Sequence, residues 1–171
     1  MKLTRDLFIP LLDRNKLVRS EVEGYDWVRV DKSTVFALSF NPQEETFGYI
    51  DAPNDSTEVV SYQPELPQEI ILDSANPLYS AMFDFVMGMP LGSDAVVPCL
   101  LAMPSPANPN TVLGYLWEEA LISPQELNTV DGKLTFTIKL NGAKKDGTVT
   151  AADGVYTFTP SAQSSPSSPS E

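Results

Sequence analysis

The chain contains no histidine. That removes Ser-His-Asp and Cys-His arrangements and every histidine-based metal site. Its single cysteine, Cys99, excludes an internal disulfide. Cys99 lies in the apolar run Val96-Val97-Pro98-Cys99-Leu100-Leu101, where it reads as a small buried hydrophobe rather than a nucleophile. Residues 33–132 hold no lysine or arginine. A nucleic-acid binder needs clustered cations, so that class is disfavoured. Neither GxGxxG nor GxxxxGK(S/T) occurs, so there is no Gly-rich phosphate loop. No apolar run approaches membrane-spanning length. Leu7-Phe8-Ile9-Pro10-Leu11-Leu12 is too short for a signal-peptide core and is flanked by charges. The expectation is a protein made and folded in a reducing cytoplasm.

What is present is acid, proline and alternating apolar runs. The chain has 171 residues, enough for one domain with its own core. Its net charge of −12 is unevenly placed: residues 1–32 and 133–171 are each net +1, and residues 33–132 carry fourteen Asp/Glu. A solvated acidic surface is the plain reading. The sharper one is a surface that must not adhere to a polyanion. The 15 prolines, mostly between apolar runs, favour short strands and loops over a helix bundle.

Residues 1–25 lack clean periodicity and read as an N-terminal arm with at most a short helical turn. Trp27-Val28-Arg29-Val30 and the alternating segment 34–40 read as a strand pair about Asp31-Lys32. Residues 41–67 read as a long loop holding Phe47, Tyr49, Ile50, Val59, Val60 and Tyr62. Apolar content in such a loop points to packing on a neighbouring chain. Residues 68–73 read as a strand with Glu69, Ile71 and Asp73 on one face. The one helix expected is 77–87: Asn76 is an N-cap, Pro77 suits the first helical position, and Gly88 and Pro90 end it. Its stripe of Leu78, Met82, Phe85 and Met89 reads as a helix covering a sheet. Runs 95–103 and 111–122 read as a long hairpin. In 133–140, Leu134, Phe136, Ile138 and Leu140 share one face. Residues 148–150 and 155–159 form a hairpin about Asp153-Gly154. Residues 161–171 are a Ser/Pro-rich tail. The sum is a mainly β chain: an antiparallel β-sandwich or barrel over 26–160 with one flanking α-helix.

No pair of acids stands out as a catalytic couple. Glu44-Glu45 and Glu118-Glu119 are sequence neighbours, which point to opposite faces in a strand. Asp51, Asn54, Asp55 and Glu58 offer oxygen ligands but do not match the EF-hand spacing, so they read as a solvated loop. No enzyme activity, metal or cofactor is expected. Trp27, Trp117 and Tyr115 read as core aromatics; as a sugar platform they would make a carbohydrate-binding or capsid-decorating module instead.

Three stretches carry a family likeness. They are 26–45 (Asp26-Trp27-Val28-Arg29-Val30 through Phe40-Asn41-Pro42-Gln43-Glu44-Glu45) running into Tyr49-Ile50-Asp51; Leu66-Pro67-Gln68-Glu69-Ile70-Ile71-Leu72-Asp73 with Asn76-Pro77-Leu78-Tyr79; and 140–149 with Tyr156-Thr157-Phe158. In this order they resemble the major tail (tail tube) proteins of siphoviruses, long-tailed bacteriophages. The resemblance implies a structural virion protein assembled in the host bacterial cytoplasm. It implies hexameric rings, stacked into a tube, with an inner β-barrel that conducts DNA during ejection. The implied partners are other copies of the chain, a tape-measure protein, and tail terminator and initiator proteins. Many relatives carry an added C-terminal immunoglobulin-like module, where this sequence has a Ser/Pro tail. No residue transfers by motif. From the charge pattern, Glu69, Asp73, Glu118 and Glu119 are the candidate lumen-facing acids, on inner strands 34–40, 68–73, 95–103 and 111–121. Such a lumen would repel phosphates at about a Debye length, roughly 8 Å.

Overall fold

Asp153 and Gly154 both adopt positive φ (52° and 77°), the conformation of a two-residue turn whose twist matches the strands it joins. They close the hairpin of the last two strands in a computed structural model that describes residues 2, 4–31, 33–34 and 37–162. The described elements are β1 (Ile9–Asp13), α1 (Arg14–Leu17), β2 (Trp27–Arg29), β3 (Pro42–Phe47), β4 (Ser56–Tyr62), β5 (Glu65–Ile71), α2 (Pro77–Met87), β6 (Cys99–Pro104), β7 (Val112–Trp117), β8 (Leu121–Asn128), β9 (Lys133–Lys139), β10 (Lys144–Ala152) and β11 (Val155–Pro160).

Three antiparallel sheets result. Six strands run in the order β11-β10-β7-β6-β1-β2, three in the order β5-β9-β8, and among the described residues β3 pairs with β4 alone. The large sheet curls until its two edge strands, β11 and β2, approach each other. Its central strands are buried on both faces. Leu12, Cys99, Leu101 and Trp117 point into the main core, which Leu66, Ile70, Leu134, Phe136 and Ile138 of the smaller sheet close from the other side. Leu78, Ala81, Met82 and Phe85 of α2 join the same core. Leu11, Trp27, Leu100, Ala102, Leu116 and Val149 form a second core inside the curl. The fold is therefore mainly β, a curled antiparallel sheet packed on a smaller sheet and one helix, as the strand and helix patterns predict.

Within the second core Gly114 stands opposite Gly147. A Cβ at Gly114 would sit 2.6 Å from Val149, and one at Gly147 would run into the Thr159 carbonyl and the Phe158 ring. The glycines let that ring lie on the bare sheet.

Several local expectations hold. β9 buries Leu134, Phe136 and Ile138. α2 spans Pro77–Met87, with the Asn76 side chain accepting from the Leu78 amide at 3.0 Å. β6 and β7 pair along their length.

Others need correction. Residues 9–13 are not part of an arm: β1 lies between β6 and β2. It is buried on both faces, so it has no polar alternation to reveal it. β2 pairs with β1, not with 34–40. Ser33, just before that segment, and Ser39, within it, form single bridges to Ile70 and Glu65. Pro67 stands between those partners on β5 and has no N–H to offer the edge. Val35 and Phe36 lie outside the described residues, as do 163–171 of the expected tail. β8 is a strand that the proline at 124 disguised; a register shift between Pro124 and Glu126 accommodates it. Met89 does not share the buried stripe of α2. Gly88 keeps right-handed φ (−72°), Met89 takes φ 47°, and its side chain is exposed.

Candidate assembly surfaces

The segment 41–67 is no loop. β3 and β4 form a two-stranded hairpin exposed along both strands, with only Phe47 part-buried. Thr, Val and Tyr favour the extended chain, Thr46 and Thr57 hydroxyls meet across it at 3.1 Å, and a register shift between Gln43 and Glu44 bends it. No residue of 41–62 belongs to either core. An isolated hairpin is marginal in water. This one also places Glu45 directly opposite Glu58, a like-charge pair that weakens it further.

All six residues expected at an inter-subunit contact fall on this hairpin. Val59, Val60 and Tyr62 are exposed on β4, and Tyr49 and Ile50 are exposed in the connecting turn, where Phe47 stacks on Tyr49 at 6.5 Å. Phe40, exposed at its base, belongs with them; its place in an apparent period-two run hid it. The hairpin carries Glu44, Glu45, Asp51, Asp55 and Glu58 without a cation. Among the described residues no three acids gather to hold a metal ion.

The four acids expected in a lumen lie on different elements. Glu69 is on the outer face of β5. Thr34 Oγ1 donates to it at 2.5 Å and Lys133 Nζ of β9 meets it at 2.9 Å. The Thr34 hydrogen bond and the Lys133 ammonium hold its carboxyl below the usual range. Asp73 follows β5 and accepts from the Ala75 amide at 2.9 Å, shaping the turn into α2. Glu118 follows β7; Lys145 Nζ meets it at 2.8 Å and Tyr25 Oη donates at 2.7 Å. These two partners, Lys145 first, lower its pKa. Glu119 is exposed beside Gly142.

The four strands proposed to line one channel do not form one sheet. β5 is in the three-stranded sheet, and β6 and β7 are in the six-stranded one. Antiparallel pairing sets lysine-bearing β9 beside β5 and β10 beside β7, so charges separated in sequence meet in space.

The mouth of the curl is a cleft of about 900 Å³ lined by Tyr25, Trp27, Glu118, Lys145, Tyr156 and Phe158, among others. Tyr25 stacks on Trp27 at 4.8 Å. Burial, with Glu118 beside it, pushes the Tyr25 phenol up to about 12. Trp117 and Tyr115 pack on the opposite face of the sheet, so the three aromatics make no common platform.

A further surface gave no signal beyond the helix pattern. The outer face of α2 carries Tyr79, Phe83 and Met87 at helical spacing. Tyr79 and Phe83 rings meet edge-on at 5.9 Å. Phe83, Met87, Met89 and Leu91 are exposed, and so is Val18 at the end of the adjacent α1. A helix apolar on both faces is ordinarily covered on both.

No family model matches the sequence, and no curated protein matches it. Its chain path is similar to a chain in the six-fold symmetrised baseplate of the anti-feeding prophage, with 11% identity, TM-score 0.49, covering 85% of this chain and 95% of that one. It is also similar to a chain of the sheath/tube terminator of an extracellular contractile injection system, PVC, in its extended state, with 8% identity, TM-score 0.49, covering 85% and 96%. A third is in the tube-terminating cap of the anti-feeding prophage, with 11% identity, TM-score 0.48, covering 86% and 92%. Likeness at this level concerns chain path and assigns no role.

Proposed function

We propose that this chain is a non-enzymatic structural subunit of a phage tail tube, assembling as hexameric rings that stack around a DNA-conducting channel. The observation that carries the reading is the β3–β4 hairpin. It projects beyond both cores, presents Val59, Val60 and Tyr62 to solvent, and has too little burial to be stable by itself. A second surface that covers it supplies that burial. A second copy does so with a heterologous contact, and such a contact builds a ring when its rotation closes. The ordered sequence likeness to siphovirus tail tube proteins supports the same reading.

In this reading Glu69, Asp73, Glu118 and Glu119 face the channel. Glu69 and Glu118 enter it as ion pairs with lysines, so their repulsion of DNA is weaker than their number suggests. Tape-measure, terminator and initiator proteins are the expected partners in a virion tail. Negative-stain microscopy of concentrated protein, alone and with a tail initiator, tests the proposal: rings or tubes support it, and monomers under both conditions overturn it.

The cleft favours a second reading, a β-sandwich binding module. Stacked Tyr25 and Trp27 beside Glu118 and Lys145 combine a ring platform with polar groups, as a sugar site does. Glycan-array binding by a monomer, lost in Trp27→Ala, would favour it over the tube.

A further inference from the structure

We infer that the β3–β4 hairpin of one copy docks on the α1–α2 face of the next copy. The inference rests on the tube-subunit reading and names the surface that receives the hairpin.

The two surfaces are complementary in shape class and in charge. The hairpin offers Val59, Val60 and Tyr62 with five carboxylates and no cation. The receiving face offers Phe83, Met87, Met89 and Leu91, with Val18 beside them. α1 packs against α2, and the Arg19 guanidinium lies against Gly88 at the end of α2. Arg19 thus reaches the end of the apolar stripe, and Arg14 and Lys16 belong to the α1 helix that precedes it. All three are exposed. The described salt bridges engage Arg29, Lys133, Lys144 and Lys145 and leave these three unpaired. Lys16 lies within coulombic reach of Asp13, so Arg14 and Arg19 are the freer cations, and the hairpin carries five acids with no cation of its own. Glu21, Glu23, Asp84 and Asp94 are also nearby in sequence. The attraction is therefore placed at the α1 end of the stripe, while the α2 end contributes apolar contact.

The contact is heterologous: donor and acceptor are different surfaces, and every copy keeps one of each free for the next. It covers both otherwise unsupported apolar surfaces, and Glu45 and Glu58, which repel within the hairpin, face cations instead. Docking thus stabilises the element that docks.

Charge reversal tests this. One variant carries Arg14→Glu, Lys16→Glu and Arg19→Glu; the other carries Glu44→Lys, Glu45→Lys and Glu58→Lys. All six positions are exposed, so both variants should keep the wild-type circular dichroism. The expected result is that each alone loses rings and tubes, and an equimolar mixture regains them, since each reversed surface meets its complement. If the wild type and the α1 variant assemble equally well, the docking inference is overturned and the tube reading stands. If the wild type forms no assembly with or without an initiator, the tube reading fails. Docking is then decided by cross-linking of mixed Val60→Cys and Met87→Cys chains with a short bismaleimide. Covalent dimers between the two chains retain it, and their absence overturns it. The same cross-link decides the matter if a reversed variant misfolds. Cys99 is fully buried and gives no background.

Discussion

Single residues fix the local geometry here by accepting or excluding particular atoms. Asp13 is buried, and its Oδ1 accepts from the amides of Asn15 and Asp26, both at 3.1 Å, so it caps α1 and ties down the chain entering β2. Asp13→Ala strands both amides and should cost about 1–2 kcal/mol in urea melts. Asp13→Asn keeps an acceptor and should cost much less. Burial raises the Asp13 pKa, so its charged form is disfavoured in the fold and its contribution to stability declines as pH rises through the carboxylate range. Glu69 and Glu118 act in the opposite sense. Their folded pKa values are depressed, so the stability they contribute is present above the unfolded carboxylate range and is lost as pH falls through the folded values. Lys133→Met and Lys145→Met should each flatten the acid limb of a thermal-melt profile, and an unchanged limb would count against these pairs. Gly147→Ala should cost about 1–3 kcal/mol by overpacking, since the new methyl has the Thr159 carbonyl and the Phe158 ring in its way.

At the scale of elements, the hairpin should be dispensable to folding. Neither core includes a residue of 41–62, so replacing 42–62 with a short Asn-Gly turn should leave a cooperative melt near the wild-type midpoint while abolishing assembly. A large fall in the midpoint would show that the hairpin packs on its own domain. The elements also differ in how far the sequence announced them. β9 and α2 were legible because each has one buried and one exposed face, or a cap and a stop, within a single short stretch. β1 was not, because burial on both faces erases alternation. The hairpin was not, for the opposite reason: with neither face buried, nothing selects an apolar period. Its apolar side chains still stood out, because apolar residues in a polar stretch are visible whatever the backbone does. The pairing of Glu69 with Lys133 and of Glu118 with Lys145 was out of reach, since it depends on which distant strands become neighbours.

For the whole molecule, that pairing changes what the net charge of −12 means. The hundred residues free of lysine and arginine do not form a uniformly acidic body, because β9 and β10 bring lysines to β5 and β7. The described salt bridges engage Asp31, Glu69, Glu118 and Asp146, and the hairpin acids and the α1 cations are among the charges they leave out. In the proposed tube, DNA sliding requires only that no cationic surface be presented to the channel, so the α1 cations would have to be covered or turned outward. Assembled protein should accordingly give no retardation of duplex DNA in a mobility-shift assay even at about 10 mM salt, where the Debye length is roughly 30 Å and a cationic wall would bind through counterion release. Introducing Glu118→Lys with Glu119→Lys removes two acids and adds two cations beside Lys145. If these residues face the channel, tubes of this variant should retain DNA in proportion to falling salt while free subunits assemble as before. Equal mobility for wild-type and variant tubes would place residues 118 and 119 away from the channel, leaving the outer face of β5, with Glu69 and Lys133, as the wall to test next.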